Sequence, residues 1–241
     1  FFFFFFFKSL LMPSLTSLPR LSVLLTLFFF FFPLGTGEAG LFQRDGKSEI
    51  YRRAKAYRLV PIEQAVPEAF VDLRYKITSA AGKPLYLSDM PALIHKATAQ
   101  KLRRAAKELK EHGYALKIWD AWRPPEAHQA LWAAVRDERY VVPPSKGLSW
   151  HCYGISVDLT LARPDGSEVP MPSKFDEFSA KAASRYVGGD PEIARRVTLL
   201  QTAMKNAGFR VIESEWWHFD DMRAEGGIHK VTAADLGIRM P

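Results

Sequence analysis

Two of the six histidines stand among residues that could do chemistry. His151 lies in the segment SWHCYGISVD, and Asp158 follows it on an alternating stretch that predicts a strand. Gly154 between them permits a tight reversal of the backbone, so the imidazole and the carboxylate can converge on one point. This pair of donors suits zinc, and a third ligand from elsewhere would complete an open catalytic site.

His218 is the candidate third ligand. Glu215 precedes it by three residues, at the end of a predicted strand, where a turn would bring both side chains toward the same ion. A carboxylate in that position would not bind the metal but would take a proton from water that the metal activates. Arg123 ends another predicted strand before two prolines, and a fixed cation there could stabilise the oxyanion on an attacked carbonyl. The combination predicts a metal-dependent peptidase.

Each of these residues has a simpler structural interpretation when it is taken alone. A histidine beside aromatic residues, such as His218, is more often a hydrogen-bonded structural residue. Asp158 could cap a turn, Arg123 could lie on the surface, and Trp216 and Trp217 could pack in the core. The functional interpretation therefore depends on the combination.

The single cysteine, Cys152, lies next to a histidine and raises the question of a thiol nucleophile. Such a nucleophile needs a base that is free to accept its proton, whereas His151 is assigned to the metal. A packed or partly exposed thiol is the favoured interpretation. The remaining histidines lack evident partners and are interpreted as surface or structural residues: His95, His112, His128 and His229.

Periodic patterns predict the elements that position these residues. The predicted helices are Ala97 to His112, a helix that begins with PEAHQALWAAV, and Pro191 to Ala207. The predicted strands lie around Phe70 to Tyr75, in YALKIWDAW, from Gly154 to Leu161 as a half-buried strand, and in FRVIE. We therefore expect an α+β fold, in which helices pack around a small, mainly antiparallel sheet and the metal lies in a cleft on that sheet.

Composition limits the classes of partner. The 241 residues carry a formal net charge of +7, but the basic residues are scattered along the chain. A nucleic-acid-binding protein would show a basic stripe or a known binding motif, so nucleic acid is not an expected partner. The oligomeric state is not predicted.

The N-terminal segment predicts export. The run of phenylalanine from Phe1 is typical of translated upstream sequence, whereas Met12 to Arg20 and the apolar run that follows have the order of a signal peptide. That run is shorter than the ~20 residues of a membrane-spanning helix, so cleavage is favoured over anchoring. We expect an extension plus signal peptide at 1–39, a linker or surface arm at 40–56 and a catalytic domain at 57–241. The expected location is the periplasm or cell envelope, without stable membrane insertion after cleavage.

Six segments of the chain occur in an order that a known family shares: VDLRY, GKPLY, WDAWRP, SWHCYGISVDLTL, VPMPSKFDEFS and ESEWWHFD. In these segments the chain resembles the zinc D-alanyl-D-alanine dipeptidases of the VanX type, in peptidase family M15, over about Tyr57 to Asp221. The S-x-H-x(6)-D and E-x-W-H elements are shared with a wider group that includes D,D-carboxypeptidases and the hedgehog-type fold. WDAWRP and FDEF narrow the resemblance to dipeptidases.

The resemblance implies roles for the residues that match its motifs. It implies one zinc ion per chain, with three ligands: His151, Asp158 and His218. It implies Glu215 as the catalytic base and Arg123 as the residue that stabilises the transition state. It implies four substrate-binding residues: Asp176 for the free amino group, Ser149 and Tyr75 for the pocket wall, and Asp120 for orienting the arginine. The implied reaction is hydrolysis of the small dipeptide D-alanyl-D-alanine to two D-alanines, in cell-wall precursor metabolism or D-alanine recycling.

The sequence departs from the family's pattern at several positions. The loop from Ser79 to Pro84 is short, Ser156 stands where a small apolar residue is usual, and Trp150 and Cys152 flank His151. None of these departures changes a proposed ligand or the base. They bear on substrate preference more than on catalysis.

Three alternative functions stay open. A D,D-carboxypeptidase acting on peptidoglycan stem peptides would need an open groove on the amino side of the scissile bond, against which Asp176 argues. A non-catalytic, zinc-containing envelope-binding module would need neither Glu215 nor Arg123. A dipeptidase for L-configured peptides is also possible, because chirality is selected by pocket shape.

Overall fold

The structure is a computed structural model that describes residues 37–240. The predicted N-terminal extension and almost all of the predicted signal peptide lie outside the described residues. Within residues 37–240, no helix has the length and apolarity needed to cross a membrane.

Five helices and seven strands make up the described chain. In order they are α1 (Gly37–Ala56), β1 (Leu59–Pro61), α2 (Ile62–Ala65), β2 (Phe70–Val71), β3 (Leu93–His95), α3 (Lys96–Glu111), β4 (Ala115–Asp120), α4 (Pro125–Val135), β5 (Ser156–Ala162), α5 (Pro191–Asn206), β6 (Arg210–Val211) and β7 (His218–Asp220). The predicted strand around Phe70 to Tyr75 is only two residues long, because the chain turns into a 3₁₀ helix at Arg74–Lys76.

The main sheet has five strands in the order β2-β4-β5-β7-β6. The β2–β4 pair is parallel, and the other three pairs are antiparallel. A separate antiparallel pair joins β1 to β3. This architecture confirms the predicted α+β fold with a small, mainly antiparallel sheet.

The long helices follow the local signals in the sequence. Helix α3 turns its buried residues, among them Leu102, Ala106 and Leu109, toward the core, and the chain leaves the helix through Gly113 at a φ of 79°. Helix α4 begins with Pro125 at its first turn, where a missing backbone N–H costs nothing. Asp190 caps α5 by accepting from the backbone N–H groups of the first turn.

Strand β5 is more buried than its alternating sequence predicts. All seven of its residues are buried, so the prediction of a half-buried strand was wrong. The physical reason is its central position in the sheet, between β4 and β7. The polar face carries Asp158 and Thr160, each of which lines a cavity that residues near Phe175 also close.

The segment predicted to be a linker or surface arm forms most of helix α1. Its last turns contact the domain, because Ala54 is fully buried and Ile50 and Tyr51 pack against the core. These three residues lie on one side of the helix, but they are too few to create a clear period among the polar residues around them. The packed domain therefore starts before Tyr57.

His128 on α4 makes the stability of the fold dependent on pH. Burial and the nearby charge of Arg123 lower the pKa of His128 from 6.5 to about 4, although Nε2 contacts the carbonyl of Val142 at 2.9 Å. A histidine with a lowered pKa favours folding fully above pH 6.5, and this contribution is lost as pH falls from 6.5 toward 4. We expect metal-free protein to lose about 2 to 3 kcal/mol of unfolding free energy across this window through His128.

The measurement is urea unfolding between pH 7 and pH 4 for wild type, His128→Gln and His112→Gln. His112 is exposed and serves as the control. His128→Gln should flatten the pH dependence, and His112→Gln should reproduce the wild-type curve. Equal slopes in all three proteins would contradict the prediction.

Candidate active site

Local backbone geometry brings the two predicted ligands near residue 150 together. His151 lies in a 3₁₀ turn, Trp150–Tyr153, and its backbone N–H donates to the hydroxyl of Ser149, which caps the turn. The turn ends at Gly154 with a φ of 67°, and a Cβ there would come within 2.5 Å of Leu59. The predicted reversal at this glycine is confirmed, and it leads directly into β5.

His218 reaches the same point from the neighbouring strand. It is the first residue of β7 and pairs in register with Asp158 of β5. Nδ1 of His218 lies 2.8 Å from Oδ1 of Asp158 and 3.2 Å from Nε2 of His151. Nε2 of His151 lies 3.3 Å from the same carboxylate oxygen. Two antiparallel strands and one turn thus bring the three predicted ligands to one position.

These three donors fit a metal ion. One ligand atom from each residue lies within 4.8 Å of the others, and two imidazoles with one carboxylate are a donor set that zinc accepts. His151 contacts the Ala121 carbonyl through Nδ1 at 2.6 Å, so that nitrogen donates and Nε2 is free to bind a metal. His218 points Nδ1 to the same place, because its Nε2 lies 2.8 Å from Asp220.

Neighbouring charges shift the pKa values of the metal-binding side chains. Burial by itself lowers the pKa of His218, but its hydrogen bonds to Asp158 and Asp220 outweigh burial and hold that pKa well above 6.5. Burial raises the pKa of Asp158, yet the two histidines bring it well below its usual range. Asp158 is therefore ionised, as a metal ligand must be.

Glu215 lies beside the donor cluster without joining it. Its Oε2 is 3.8 Å from Nδ1 of His218, and the side chain is almost fully buried. Burial raises the pKa of Glu215 to about 8; the charge on His218 opposes this shift, and Asp158 and Asp176 reinforce it. A carboxyl group with a pKa near the working pH can both accept and return a proton.

Arg123 is buried next to the donors, not on the surface. Its Nε lies 2.8 Å from Oδ2 of Asp120, and its Nη2 lies 3.2 Å from Oδ2 of Asp158. The guanidinium also lies 5.0 Å from the ring centre of Tyr75. On the far side, the hydroxyl of Tyr86 donates to Asp120. Asp120 is thus placed to orient the arginine, and Tyr86 is a supporting residue that sequence reasoning missed.

Asp176 lies in a loop with a backbone φ of 56°, a value that L residues other than asparagine and aspartate seldom adopt. Its Oδ2 is buried without a hydrogen-bond partner among the described residues. Burial raises its pKa to about 7, while the charge of Arg123 opposes the shift and Asp158 adds to it. A buried, unpaired carboxylate oxygen at a cleft is suited to a cationic ligand group.

The predicted site residues share one cleft of about 200 Å³. Eight of the nine line it: Tyr75, Arg123, Ser149, His151, Asp158, Asp176, Glu215 and His218. Asp120 lies behind the arginine. This volume is below the ~300–1,000 Å³ of sites for drug-sized ligands, so the cleft suits a small molecule.

Cys152 does not take part in this cleft. It is fully buried, and burial raises the pKa of its thiol to about 12. A thiolate is therefore scarce at neutral pH, which agrees with the interpretation of a packed thiol.

Comparison with known proteins assigns the family. The profile of the peptidase M15 family described as D-ala-D-ala dipeptidase matches residues 55–231. The chain belongs to this family. A D-alanyl-D-alanine dipeptidase of Escherichia coli K12 is 33% identical over 163 residues, which cover 67% of this chain and 83% of that protein. A D-alanyl-D-alanine dipeptidase of Enterococcus faecium is 34% identical over 142 residues, covering 50% of this chain and 69% of that protein. A D-alanyl-D-alanine dipeptidase of Enterococcus faecalis is 30% identical over 157 residues, which cover 57% of this chain and 78% of that protein.

The family match includes the residues of the cleft. The matched range contains every predicted site residue from Tyr75 to His218. The chain thus belongs to a dipeptidase family, and its own structure has a buried donor cluster, an adjacent carboxyl group and a buried arginine.

Proposed function

We propose that this protein is a zinc-dependent dipeptidase that hydrolyses D-alanyl-D-alanine to two molecules of D-alanine. The observation that supports it best is the placement of Glu215, Arg123 and Asp176 in the same small cleft as the three metal-binding side chains. The curated relatives named D-alanyl-D-alanine dipeptidase support the choice of substrate.

The chain's own residues would supply most steps of the reaction. Zinc held by His151, Asp158 and His218 would lower the pKa of a bound water to about 7 and polarise a carbonyl. Glu215 takes a proton from the attacking water at its carboxylate and returns it to the leaving amine nitrogen. Arg123, fixed by Asp120, stabilises the negative charge that develops on the attacked carbonyl oxygen.

Selectivity for a free dipeptide would come from Asp176. Its Oδ2 is buried and accepts no hydrogen bond from the described residues, and the protonated amino group of a dipeptide is a donor of opposite charge. A blocked amino terminus would offer no positive charge for Asp176 to pair with. This argues against the alternative of a D,D-carboxypeptidase.

Two other proposals belong with this function. The signal-peptide-like order of residues 12–34 supports export to the periplasm or cell envelope. The substrate class supports a role in cell-wall precursor metabolism or D-alanine recycling. Genetic context and fractionation of expressing cells would test these two proposals.

The direct test is release of D-alanine from D-alanyl-D-alanine by purified protein, with and without added zinc. N-acetyl-D-alanyl-D-alanine and L-alanyl-L-alanine serve as comparison substrates. Zinc-dependent turnover of the free D,D-dipeptide alone would support the proposal. Turnover of the acetylated substrate would indicate a carboxypeptidase, and zinc binding without any turnover would indicate a binding module.

Asp176→Asn tests the role assigned to the loop carboxylate. Loss of the charge should raise KM for D-alanyl-D-alanine about tenfold to a hundredfold, because a charge-assisted bond is worth ~1.5–3 kcal/mol. Discrimination against the acetylated substrate should shrink by a similar factor. Glu177→Gln is the matched control, because Glu177 contacts the backbone of Lys174 and does not line the cleft. An unchanged KM in Asp176→Asn would refute the assignment.

A further inference from the structure

A second carboxylate on β7 contacts the ring of His218 from behind. Oδ1 of Asp220 lies 2.8 Å from Nε2 of His218, on the side of the ring opposite the donor cluster. The two residues are two positions apart on one strand, so their side chains lie on the same face of the sheet. Asp220 is only 2% exposed. Asp220 is the last residue of the shared segment ESEWWHFD, in which the motifs imply no role for it.

Both neighbouring strands hold Asp220 in place. Ser156 of β5 and Arg210 of β6 are its cross-strand partners in the sheet register. The hydroxyl of Ser156 donates to Oδ1, and Nη2 of Arg210 donates to Oδ2 at 2.7 Å. The carboxylate therefore has one oxygen fixed by a cation and the other shared between a hydroxyl and the imidazole.

An ionised carboxylate only accepts hydrogen bonds, so the ring nitrogen that faces it has to carry a proton. Nδ1 faces the carboxylate of Asp158, so the metal-free ring can carry a proton on both nitrogens, and the proton on Nδ1 is the one that a bound metal would displace. Nδ1 is the atom that lies 2.8 Å from Asp158 and 3.2 Å from His151. The hydrogen bond from Nε2 to Asp220 thus decides that Nδ1 is the nitrogen left to bind the metal.

We propose that Asp220, held by Ser156 and Arg210, is a positioning residue that keeps His218 in the Nε2–H tautomer and directs Nδ1 to the metal. This inference rests on the metal site of the proposed function. It also gives a role to Ser156, whose hydroxyl supplies a hydrogen bond that a small apolar residue could not.

The test compares the zinc affinity of four proteins, measured by competition with a chromophoric chelator: wild type, Asp220→Asn, Ser156→Ala and Asp221→Asn. An asparagine can turn its NH₂ group toward the ring and favour the wrong tautomer. Removing a supporting partner of a metal-binding histidine typically costs 10–100-fold in affinity, which is the loss expected for Asp220→Asn. The loss of zinc affinity in Ser156→Ala should be severalfold smaller, because this variant keeps the carboxylate of Asp220.

Asp221→Asn is the matched control for the loss of a buried aspartate. Asp221 follows β7 directly, is fully buried and contacts Thr98 and Lys101 on α3, not the metal site. Its zinc affinity should stay within threefold of wild type even if its urea unfolding midpoint falls. Equal losses of affinity in Asp220→Asn and Asp221→Asn, or a loss below threefold in Asp220→Asn, would overturn the inference.

Turnover separates this inference from the proposed function. At limiting zinc, the kcat of Asp220→Asn should fall well below that of wild type. At saturating zinc, most of this kcat should return, and KM for the dipeptide should change little. A wild-type protein that binds zinc but does not turn over the dipeptide would refute the proposed function, while the affinity comparison would still decide the role of Asp220. A wild-type protein that binds no zinc would overturn both.

Discussion

Replacing Glu215 with glutamine should reduce kcat for D-alanyl-D-alanine by about 10²–10⁴, the usual contribution of a general acid–base group. Glutamine keeps the size of the side chain but cannot accept a proton. Because Glu215 lies 3.8 Å from His218 and is not one of the three clustered donors, zinc affinity should stay within a few-fold of wild type. Steady-state kinetics at saturating zinc, together with a zinc titration, measures both quantities.

Glu213→Gln is the control for this variant. Glu213 is exposed and lies two residues earlier on the same segment, so its replacement should leave kcat unchanged. If Glu215→Gln keeps more than a tenth of the wild-type kcat, Glu215 is not the base. If it loses zinc together with activity, the carboxylate is acting as a ligand.

Replacing Arg123 should have the second large effect, and two variants separate its roles. Arg123→Lys keeps a positive charge but loses the forked geometry that contacts Asp120 and Asp158. We expect kcat to fall about 10²–10³, as for the loss of one donor to a developing oxyanion. KM should change much less, since the charge on the carbonyl oxygen develops only in the transition state.

Arg123→Met should also destabilise the fold. It leaves Asp120 fully buried without its cation, and breaking a buried ion pair in this way costs about 3–5 kcal/mol. Urea unfolding measures this loss. Arg139→Lys, at an exposed ion pair with Asp137, is the control and should change neither kcat nor stability measurably. Wild-type kcat in Arg123→Lys would exclude a role for the guanidinium in the transition state.

Prediction of the elements succeeded where the signals are local. Helix α4 was predicted to begin at Pro125 and does so. The bounds of α3 differ from the prediction by one residue at each end, and α5 ends one residue earlier than predicted. A proline starts α4 and α5, a glycine follows α3 and α5, and the apolar residues of α3 and α5 recur at helical spacing. Such signals do not depend on the rest of the chain.

Prediction failed where distant contacts decide the structure. Helix α1 has few apolar residues of its own, and the domain that buries Ala54 provides the packing that a sequence pattern cannot show. The complete burial of β5 similarly depends on its place between two other strands. Tertiary context overrides weak local patterns in both cases.

The candidate site also has features that local sequence predicts and features that only tertiary contacts decide. By itself, the sequence determined the fold class through its periodic patterns, and the metal ligands and base through residue type and spacing around His151 and His218. The substrate-binding residues followed from the family resemblance. Only the tertiary structure decided which ring nitrogens face one another, that Arg123 is buried, and that Tyr86 and Asp220 support the site from behind. These contacts join positions on different strands and loops, and their distances are set by strand register and packing, which no single segment of the chain contains.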